Sequence, residues 1–424
     1  MNKILTISKP KIVYLTDKVQ LEAIVKTDSF EKKMWFRYDK KYAHFLVDDR
    51  LDAFCVGILY YAMFNNYDIR LEAKISERLY YQLTTYFIPS LAKTVDLFHE
   101  IKIFAETTTE VFTNNNGVAT GISGGVDSFY TLIKYTETKQ KNYKLTHVIF
   151  SDIPLQKYTS SEKNKWLLDN MSQLKKISSD FNLDLIYVEC NIVTDFLIGI
   201  HFSKDVGLFQ DEGLFSLKFC SIVMSLGKLL NKYYFSSGVS FDEYNMKPKP
   251  YDTAYYDLLN LNCIETEYLV FYSVGGECCR LDKVKYIANF PIVQDKLLVC
   301  GMFNENCGHC NKCLRTMSEL YAIGKLDLFK RVFPVDNFKN NLSFRLASIL
   351  SRKNNKFEKN IIKEMNKNNI GIPITSYLLA PIYKLLNRIC SVARKYTYLR
   401  KIYYALNIDV IRFGRKTKRK DVLK

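Results

Sequence analysis

The stretch Gly121-Ile122-Ser123-Gly124-Gly125-Val126-Asp127-Ser128 limits what this chain can fold into more than any other. Asn114 to Gly117 ahead of it has the composition of a turn, Val118 to Ile122 reads as a short buried strand, and Phe129 to Tyr135 reads as a helix. The glycines therefore fall at a strand-to-helix junction, where a residue without Cβ permits positive φ and lets the backbone approach a ligand closely. The first helical N–H groups have no acceptor within the helix, and with the helix dipole they favour an anion, so a phosphate is the expected occupant. Ser123 and Ser128 add hydroxyl donors, whereas Asp127 repels a phosphate and points to a bridging Mg²⁺. The structural alternative is a Gly-Gly turn capped by Ser and Asp. No Gly-Lys-Ser/Thr follows the glycines, which excludes a Walker A loop.

Strand and helix patterns alternate after this loop. Strand Leu145 to Phe150, helix Ser161 to Asp180, strand Asp184 to Cys190, helix Phe215 to Leu230 and strand Lys232 to Ser237 follow in turn. Such alternation implies right-handed βαβ units and a parallel sheet, with ligands beyond the carboxyl ends of the strands. Those ends carry the Ser123 loop, Asp152, Cys190-Asn191 and the segment Gly238 to Glu243. Asp242 and Glu243 read either as Mg²⁺ or substrate ligands or as ordinary loop polar groups. His147 lies inside an apolar strand and reads as a core residue. In Val274 to Arg280, Arg280 reads as a bidentate phosphate ligand or as the surface partner of Glu277 three residues back. Cys278-Cys279 reads as a sulfur-transfer pair or as buried free thiols.

Cys300, Cys307, Cys310 and Cys313 form a second dense signal, with spacing C-x6-C-x2-C-x2-C. Thiolates two residues apart can grip one tetrahedral Zn²⁺, and Gly308 allows the tight knuckle. Four sulfurs complete the coordination, so the expected site is structural, with an iron–sulfur cluster as the competing reading. Lys312 and Arg315 open the helix that follows and read as cations able to face a phosphate.

Ser123, Gly124, Gly125, Asp127 and Ser128 match the SGGxDS signature, and the chain resembles the PP-loop ATP pyrophosphatase superfamily (adenine nucleotide alpha hydrolase-like, HUP-like). The resemblance implies ATP cleaved between its α and β phosphates, with a substrate adenylated and pyrophosphate released. Together with Cys307-Gly308-His309-Cys310-Asn311-Lys312-Cys313-Leu314-Arg315, the loop is most similar to the 7-cyano-7-deazaguanine synthase branch. The likeness covers roughly residues 118–320 and departs from that branch at three points. The first cysteine spacing is shorter, Ser151-Asp152-Ile153-Pro154 replaces a Tyr-Gly-Gln motif, and no Asp-Cys-Arg follows Asp242. ATP use and zinc carry over better than the deazapurine does. On this resemblance ATP sits at Ser123, Gly124, Gly125, Asp127 and Ser128, with Asp152 near the adenosine or serving as a cap. Asp127, Arg280 and Lys312 are the catalytic candidates, and ATP, Mg²⁺ and Zn²⁺ the expected cofactors. The activity expected is activation of a carboxylate for amide or nitrile formation. Sulfur transfer to a nucleotide or sugar, and a non-catalytic ATP sensor, are the alternatives.

The expected fold is α/β, with three parts. Residues 1–110, with short alternating runs such as Val19 to Val25, read as a small α+β domain. There Asp48-Asp49 is expected to cap an apolar helix running to Tyr67, with Asp48, Asp49 and Arg50 solvated. Residues 111–325 hold the parallel-sheet nucleotide-binding domain and the cysteine knuckle, and residues 326–424 a helical basic region. Of the net charge of +17, residues 384–424 supply +11: 13 Lys or Arg against Asp409 and Asp421. Leu385, Leu386, Ile389 and Val392, flanked by Lys384, Arg388 and Lys395, form one apolar stripe at helical spacing. This reads as a packing helix with a basic end, as a contact for an anionic membrane, or as a contact for nucleic acid. The start of the chain has no apolar signal segment, and the odd count of 11 cysteines fits a reducing compartment, so a cytoplasmic protein is expected, peripheral to the membrane if the basic end takes the lipid reading. The expected partners are ATP, an unidentified small-molecule or carboxylate substrate, and further copies of the chain.

Overall fold

Thirteen strands order most of the first two-thirds of the chain in the computed structural model, which describes residues 3–151, 160–197, 200, 215–244, 257–300 and 305–395. They are β1 (Lys3–Ile7), β2 (Lys11–Tyr14), β3 (Lys18–Lys26), β4 (Glu31–Asp39), β5 (Tyr67–Leu71), β6 (Ile75–Ser76), β7 (Ile103–Phe104) and β8 (Thr107–Thr108). After the turn at 114–116 come β9 (Gly117–Gly121), β10 (His147–Ser151), β11 (Asp184–Cys190), β12 (Leu230–Ser236) and β13 (Val270–Val274). Eleven join one sheet in the order β13-β12-β9-β10-β11-β4-β3-β1-β5-β7, with β2 on β3, while β6 and β8 pair separately. The five strands β9 to β13 are mutually parallel, with His147 opposite Ala119 and Asp184, and Tyr234 opposite Thr120 and Tyr272. Val118, Ala119, Val148, Ile149, Ile186 and Val188 are all buried, as expected for strands covered on both faces. The α/β class and mostly parallel central sheet agree with the sequence pattern.

Two compact units result, Met1–Lys283 and Val284–Lys424. The segments read from sequence as 1–110 and 111–325 share the first unit's sheet, joined by the antiparallel pair β4–β11. On one face the helix Phe215–Ser225 packs on the helix Asp52–Asn65, which is buried almost all round. That helix begins after Asp48 and Asp49 rather than at them, and its N-cap is Leu51. Asp48 instead pairs with Lys228 at 3.2 Å, and Arg50, expected in solvent, is 2% exposed and stacked 4.4 Å from Phe112. Asp52 is used as an acceptor, receiving the Ser76 N–H at 2.7 Å and the Tyr268 hydroxyl at 2.8 Å.

The second unit is helical, as its mixed polar and apolar pattern predicts. Helices Asn311–Ala322, Leu342–Ser351 and Lys356–Lys367 bury Ala322, Leu346, Ile349, Ile361 and Met365 together. The helix Ile374–Lys395 packs against Leu342–Ser351. Among the described residues no helix is long and apolar enough to cross a membrane.

Candidate functional site

The Ser123 loop joins β9 to the helix Val126–Thr136, which starts earlier than the apolar pattern suggests. The Ile122 N–H donates to Ile149 O at 3.0 Å and fastens the loop to β10. Gly124 then turns with φ of 72°, a region where a side chain is strained. Two serines close the loop: the Gly125 N–H donates to Ser123 Oγ at 3.3 Å, and the Ser123 N–H donates to Ser128 Oγ at 3.2 Å. Ser128 Oγ in turn donates to Gly121 O at 3.3 Å. Gly125 is the N-cap and no side chain caps the helix, so the N–H groups of its first turn face outward from the loop. Ser123, Gly124, Gly125, Asp127 and Ser128 are thus brought together by one turn of backbone.

Strand order decides what stands beside this loop. From β9 the chain winds outward through β10 and β11, then returns to build β12 and β13 on the other side of β9. The switch lies between β9 and β12, and a ligand of an open parallel sheet binds in the crevice beyond that point. Ser237 follows β12 there, and its carbonyl accepts a hydrogen bond from the amine of Lys283 at 2.5 Å. The same amine donates to Asp127 Oδ1 at 2.8 Å, and the Lys283 side chain is 2% exposed. Arg280, one turn earlier on the helix Arg280–Ile287, approaches Asp127 Oδ2 at 3.6 Å. Asp127 therefore sits between two cations that reach the loop from more than 150 residues away in sequence, 156 for Lys283.

Lys283 was not singled out from the sequence. The one available signal was its spacing of three residues from Arg280, which puts both on one helical face. Arg280 does face the loop, but Glu277 is not its partner in an isolated surface pair. The Glu277 carboxylate accepts the Tyr130 hydroxyl at 2.7 Å and the Lys134 amine. Burial pushes the Glu277 carboxyl up, yet the bonds from Lys134 and Tyr130 outweigh it and hold the group below its usual value. Burial pushes the Tyr130 phenol well above its usual value, with Cys278 and Glu277 acting in the same direction. Burial likewise raises the thiols of Cys278 and Cys279, the latter helped by the Asp282 carboxylate. Glu243 caps its own turn, accepting the Ser240 hydroxyl at 2.9 Å. Asp242 lies on the same turn, Phe241–Glu243, which is tied to Gly276 O by the Phe241 N–H at 2.7 Å. Asp152 lies outside the described residues.

In the second unit, the sulfurs of Cys300, Cys307, Cys310 and Cys313 all lie within 4.8 Å of one another. Cys307 and Cys313 are 3.9 Å apart and Cys310 and Cys300 4.0 Å, close to the ~3.8 Å edge of a tetrahedron with Zn–S bonds of ~2.3 Å. The knuckle is shaped by backbone: the Cys310 N–H donates to Cys307 Sγ at 3.3 Å and the Cys313 N–H to Cys310 Sγ at 3.4 Å. Gly308 has φ of 71°, and a Cβ there would stand 2.2 Å from Pro334 Cγ. Asn306 was not anticipated as part of the centre. Its Oδ1 accepts the N–H groups of Val299 and Cys300 at 2.8 and 3.2 Å, and its amide donates to Leu297 O and Val332 O. It thus holds the Cys300 strand of chain against the knuckle. Hydrogen bonds from Cys307, Cys310 and Cys313 pull the Cys300 thiol far down, whereas those from Cys300, Cys307 and Cys310 push Cys313 up. The four sulfurs converge as one donor set of tetrahedral size, so the four cysteines could hold a metal ion such as zinc. His309 turns away, with Nδ1 2.8 Å from Cys307 O. Lys312 is the second residue of the helix Asn311–Ala322, and the Arg315 guanidinium stacks 4.1 Å from the Phe357 ring of the same unit.

Compared with known proteins, the chain matches no protein family, no curated protein and no solved structure.

Proposed function

We propose that this protein is a PP-loop adenylating enzyme that cleaves ATP to AMP and pyrophosphate and activates a carboxylate for amide or nitrile formation. The observation that carries the reading is Lys283. A buried amine joins the SGGxDS loop to the end of β12, at the switch in strand order. The ATP phosphates would rest on the N–H groups of Gly124 and of Val126 to Ser128, with Lys283 and Arg280 flanking them. A substrate carboxylate would attack the α-phosphorus, forming an acyl-adenylate as the bond to the β-phosphate oxygen breaks. Lys283 and Arg280 would neutralise the charge that develops on the departing pyrophosphate, and a nitrogen nucleophile would then displace AMP. Mg²⁺, when bound, supplies charge neutralisation to the same phosphates. The oxygens of Asp127 already face Lys283 and Arg280, a donor set that suits an orienting carboxylate better than a metal ligand. Asp152, Lys312 and the nucleoside end of ATP remain part of the proposal by resemblance alone.

Raised thiols at Cys278 and Cys279 stay protonated near neutrality, which favours amide or nitrile formation over sulfur transfer through them. Zinc is the proposed occupant of the four-cysteine centre, in a structural role.

The proposed site of action is the cytoplasm, against an anionic membrane. On the helix Ile374–Lys395, Ile374, Tyr377, Leu378, Ile382 and Leu385 recur at helical spacing and are 79, 56, 70, 55 and 60% exposed. Lys384 and Arg388 are exposed beside them. An apolar stripe with adjacent cations suits a lipid surface, whereas nucleic acid would need the cations alone. Side chains of Ile389, Val392 and Lys395, expected in this stripe, and all of 396–424 lie outside the described residues.

Pyrophosphate release from ATP, measured with candidate carboxylates, tests the enzyme reading against a non-catalytic sensor. Asp127→Ala should abolish release while circular dichroism is retained, and Gly124→Val should abolish ATP binding. Unchanged ATP affinity in Gly124→Val refutes the phosphate position.

A further inference from the structure

The first unit contains an open cleft that the adenylation reading does not use. Glu77, Arg78, Tyr80, Tyr81, Thr107 and Glu267 line it, and it holds about 480 Å³. β13 ends at Val274, whose carbonyl accepts the Ser237 N–H at 2.9 Å beside the candidate site, and Glu267 precedes the opposite end of that strand. The cleft therefore lies at the amino ends of the parallel strands, away from the Ser123 loop. Its one cation, Arg78, is taken by Glu265. That leaves Glu77 and Glu267, neither of which has an ion-pair partner among the described residues. Glu267 Oε1 accepts the Arg78 backbone N–H at 2.7 Å, while Oε2 is buried and meets no donor. In a chain of net charge +17 this is a local surplus of negative charge. The helical stretch beside it has a π-turn: Glu77–Gln82 runs into the π-segment Leu83–Phe87 and on into Ile88–Thr94. Residues five apart on an α-helix point about 140° apart. The wider turn brings Tyr81 and Tyr86 together, ring centroids 5.9 Å apart and edge to face, although they are 55 and 49% exposed. Such turns recur at functional sites. The Tyr80 hydroxyl donates to Ile103 O at 3.2 Å, which fixes a further ring at the cleft wall.

We propose that this cleft binds a guanidinium cation carried on an aliphatic stem. Charge selects the sign. Two carboxylates without a cation, one of them with a buried oxygen that finds no donor, are relieved by a positive group brought beside them. Shape selects the planar ion. A guanidinium can lie on a tyrosine face while its edge donates to carboxylates, two contacts that a compact ammonium does not make with the same geometry. Size agrees: the volume of about 480 Å³ falls within the range of about 300–1,000 Å³ found for small-ligand sites, so the stem enters with the head. Because the cleft is apart from the phosphate position, its occupancy does not depend on the adenylation reading.

The test is calorimetric titration of the full chain at low salt with n-butylguanidinium, n-butylammonium and the uncharged n-butylurea. n-Butylguanidinium should bind saturably, at least fivefold more tightly than n-butylammonium, and n-butylurea should not bind. Glu77→Gln, Glu267→Gln and Tyr81→Ala should each weaken the binding at least fivefold, with circular dichroism unchanged. Glu77→Gln and Tyr81→Ala keep the test decisive if Glu267→Gln, which touches the Arg78 N–H, does not fold. Equal affinity for n-butylammonium overturns the guanidinium assignment, and equal affinity for n-butylurea overturns the charge argument. A blocked Gly-Arg-Gly peptide separates the two sources of the group. Binding as tight as that of n-butylguanidinium assigns an arginine of a protein, no binding assigns a free small molecule, and both uphold the site. Binding of n-butylguanidinium that survives Glu77→Gln and Tyr81→Ala belongs elsewhere and overturns the site altogether. Absence of saturable binding at millimolar ligand does the same.

Discussion

Replacing Lys283 by Met removes one amine and leaves two groups without it. Asp127 keeps Arg280 at 3.6 Å and 26% of its side-chain exposure, while the Ser237 carbonyl loses a donor in a buried setting. A hydrogen bond to a charged group contributes about 1.5–3 kcal/mol, and breaking a fully buried pair costs about 3–5 kcal/mol. Partial exposure of Asp127 and the nearby Arg280 put Lys283→Met at the lower end, about 2–3 kcal/mol. Much of that loss is the orphaned carboxylate. Asp127→Asn added to Lys283→Met should therefore restore roughly 1 kcal/mol or more, giving a coupling energy of about 2 kcal/mol. Urea titrations of the wild type, both single variants and the double variant, at fixed zinc content, measure the cycle. Pyrophosphate release should fall by about 100-fold or more in Lys283→Met, as for loss of a donor to developing charge. A stability loss below about 1 kcal/mol with additive effects within about 0.5 kcal/mol would refute the pairing, whatever happened to activity.

Metal analysis should find about one zinc per chain, and Cys310→Ser or chelation should lower the unfolding midpoint rather than turnover alone; iron with labile sulfide would overturn the zinc assignment. Burial lowers the His147 pKa below its ordinary 6.5, with Asp184 opposing, so the folded chain takes up its proton later than the unfolded one. The stability linked to this group is present above 6.5 and lost as pH falls through the lower folded value, and His147→Gln should flatten the loss below 6.5. A variant with the wild-type slope would assign the pH dependence elsewhere. Leu378→Asp, and removal of residues 412–424 with their seven Lys or Arg and Asp421, should each weaken flotation with anionic vesicles at low salt by tenfold or more. Full-length protein that ignores such vesicles, or that binds nucleic acid in their place, would refute the membrane reading.

The loop and the cysteine knuckle were legible because their geometry is local. Gly124 and Gly308 are needed for positive φ within a few residues of the ligand groups they shape. Cys307, Cys310 and Cys313 converge through two successive turns of chain. Lys283 was not legible, since its amine meets Asp127 only because β12 and β13 are laid down beside β9. Nothing in Arg280-Leu281-Asp282-Lys283 announces a buried amine. The Asp48-Asp49 cap failed for a related reason: a capping pattern is a local expectation, and Asp48 is taken by Lys228, 180 residues on.

The Cys190-Asn191 step marks where the local rule for parallel sheets stops applying. A residue just beyond the carboxyl end of a strand is expected near the ligand. Asn191 instead serves the other part of the sheet. Its Oδ1 accepts the Trp35 N–H at 2.9 Å and its amide donates to Lys33 O at 2.7 Å, so the side chain carries the β4–β11 ladder beyond the pair Cys190–Phe36. Lys18 reaches the same edge, with Nζ 2.9 Å from Glu189. Without β4, β11 would end the parallel sheet with a row of unpaired N–H and C=O groups. The N-terminal strands supply the missing neighbour, and β3, β1, β5 and β7 extend the sheet away from the loop. They cover the edge of the parallel sheet farthest from β13, while the helix Asp52–Asn65 packs on Phe215–Ser225, so the N-terminal part supports the parallel strands at their edge and on one face.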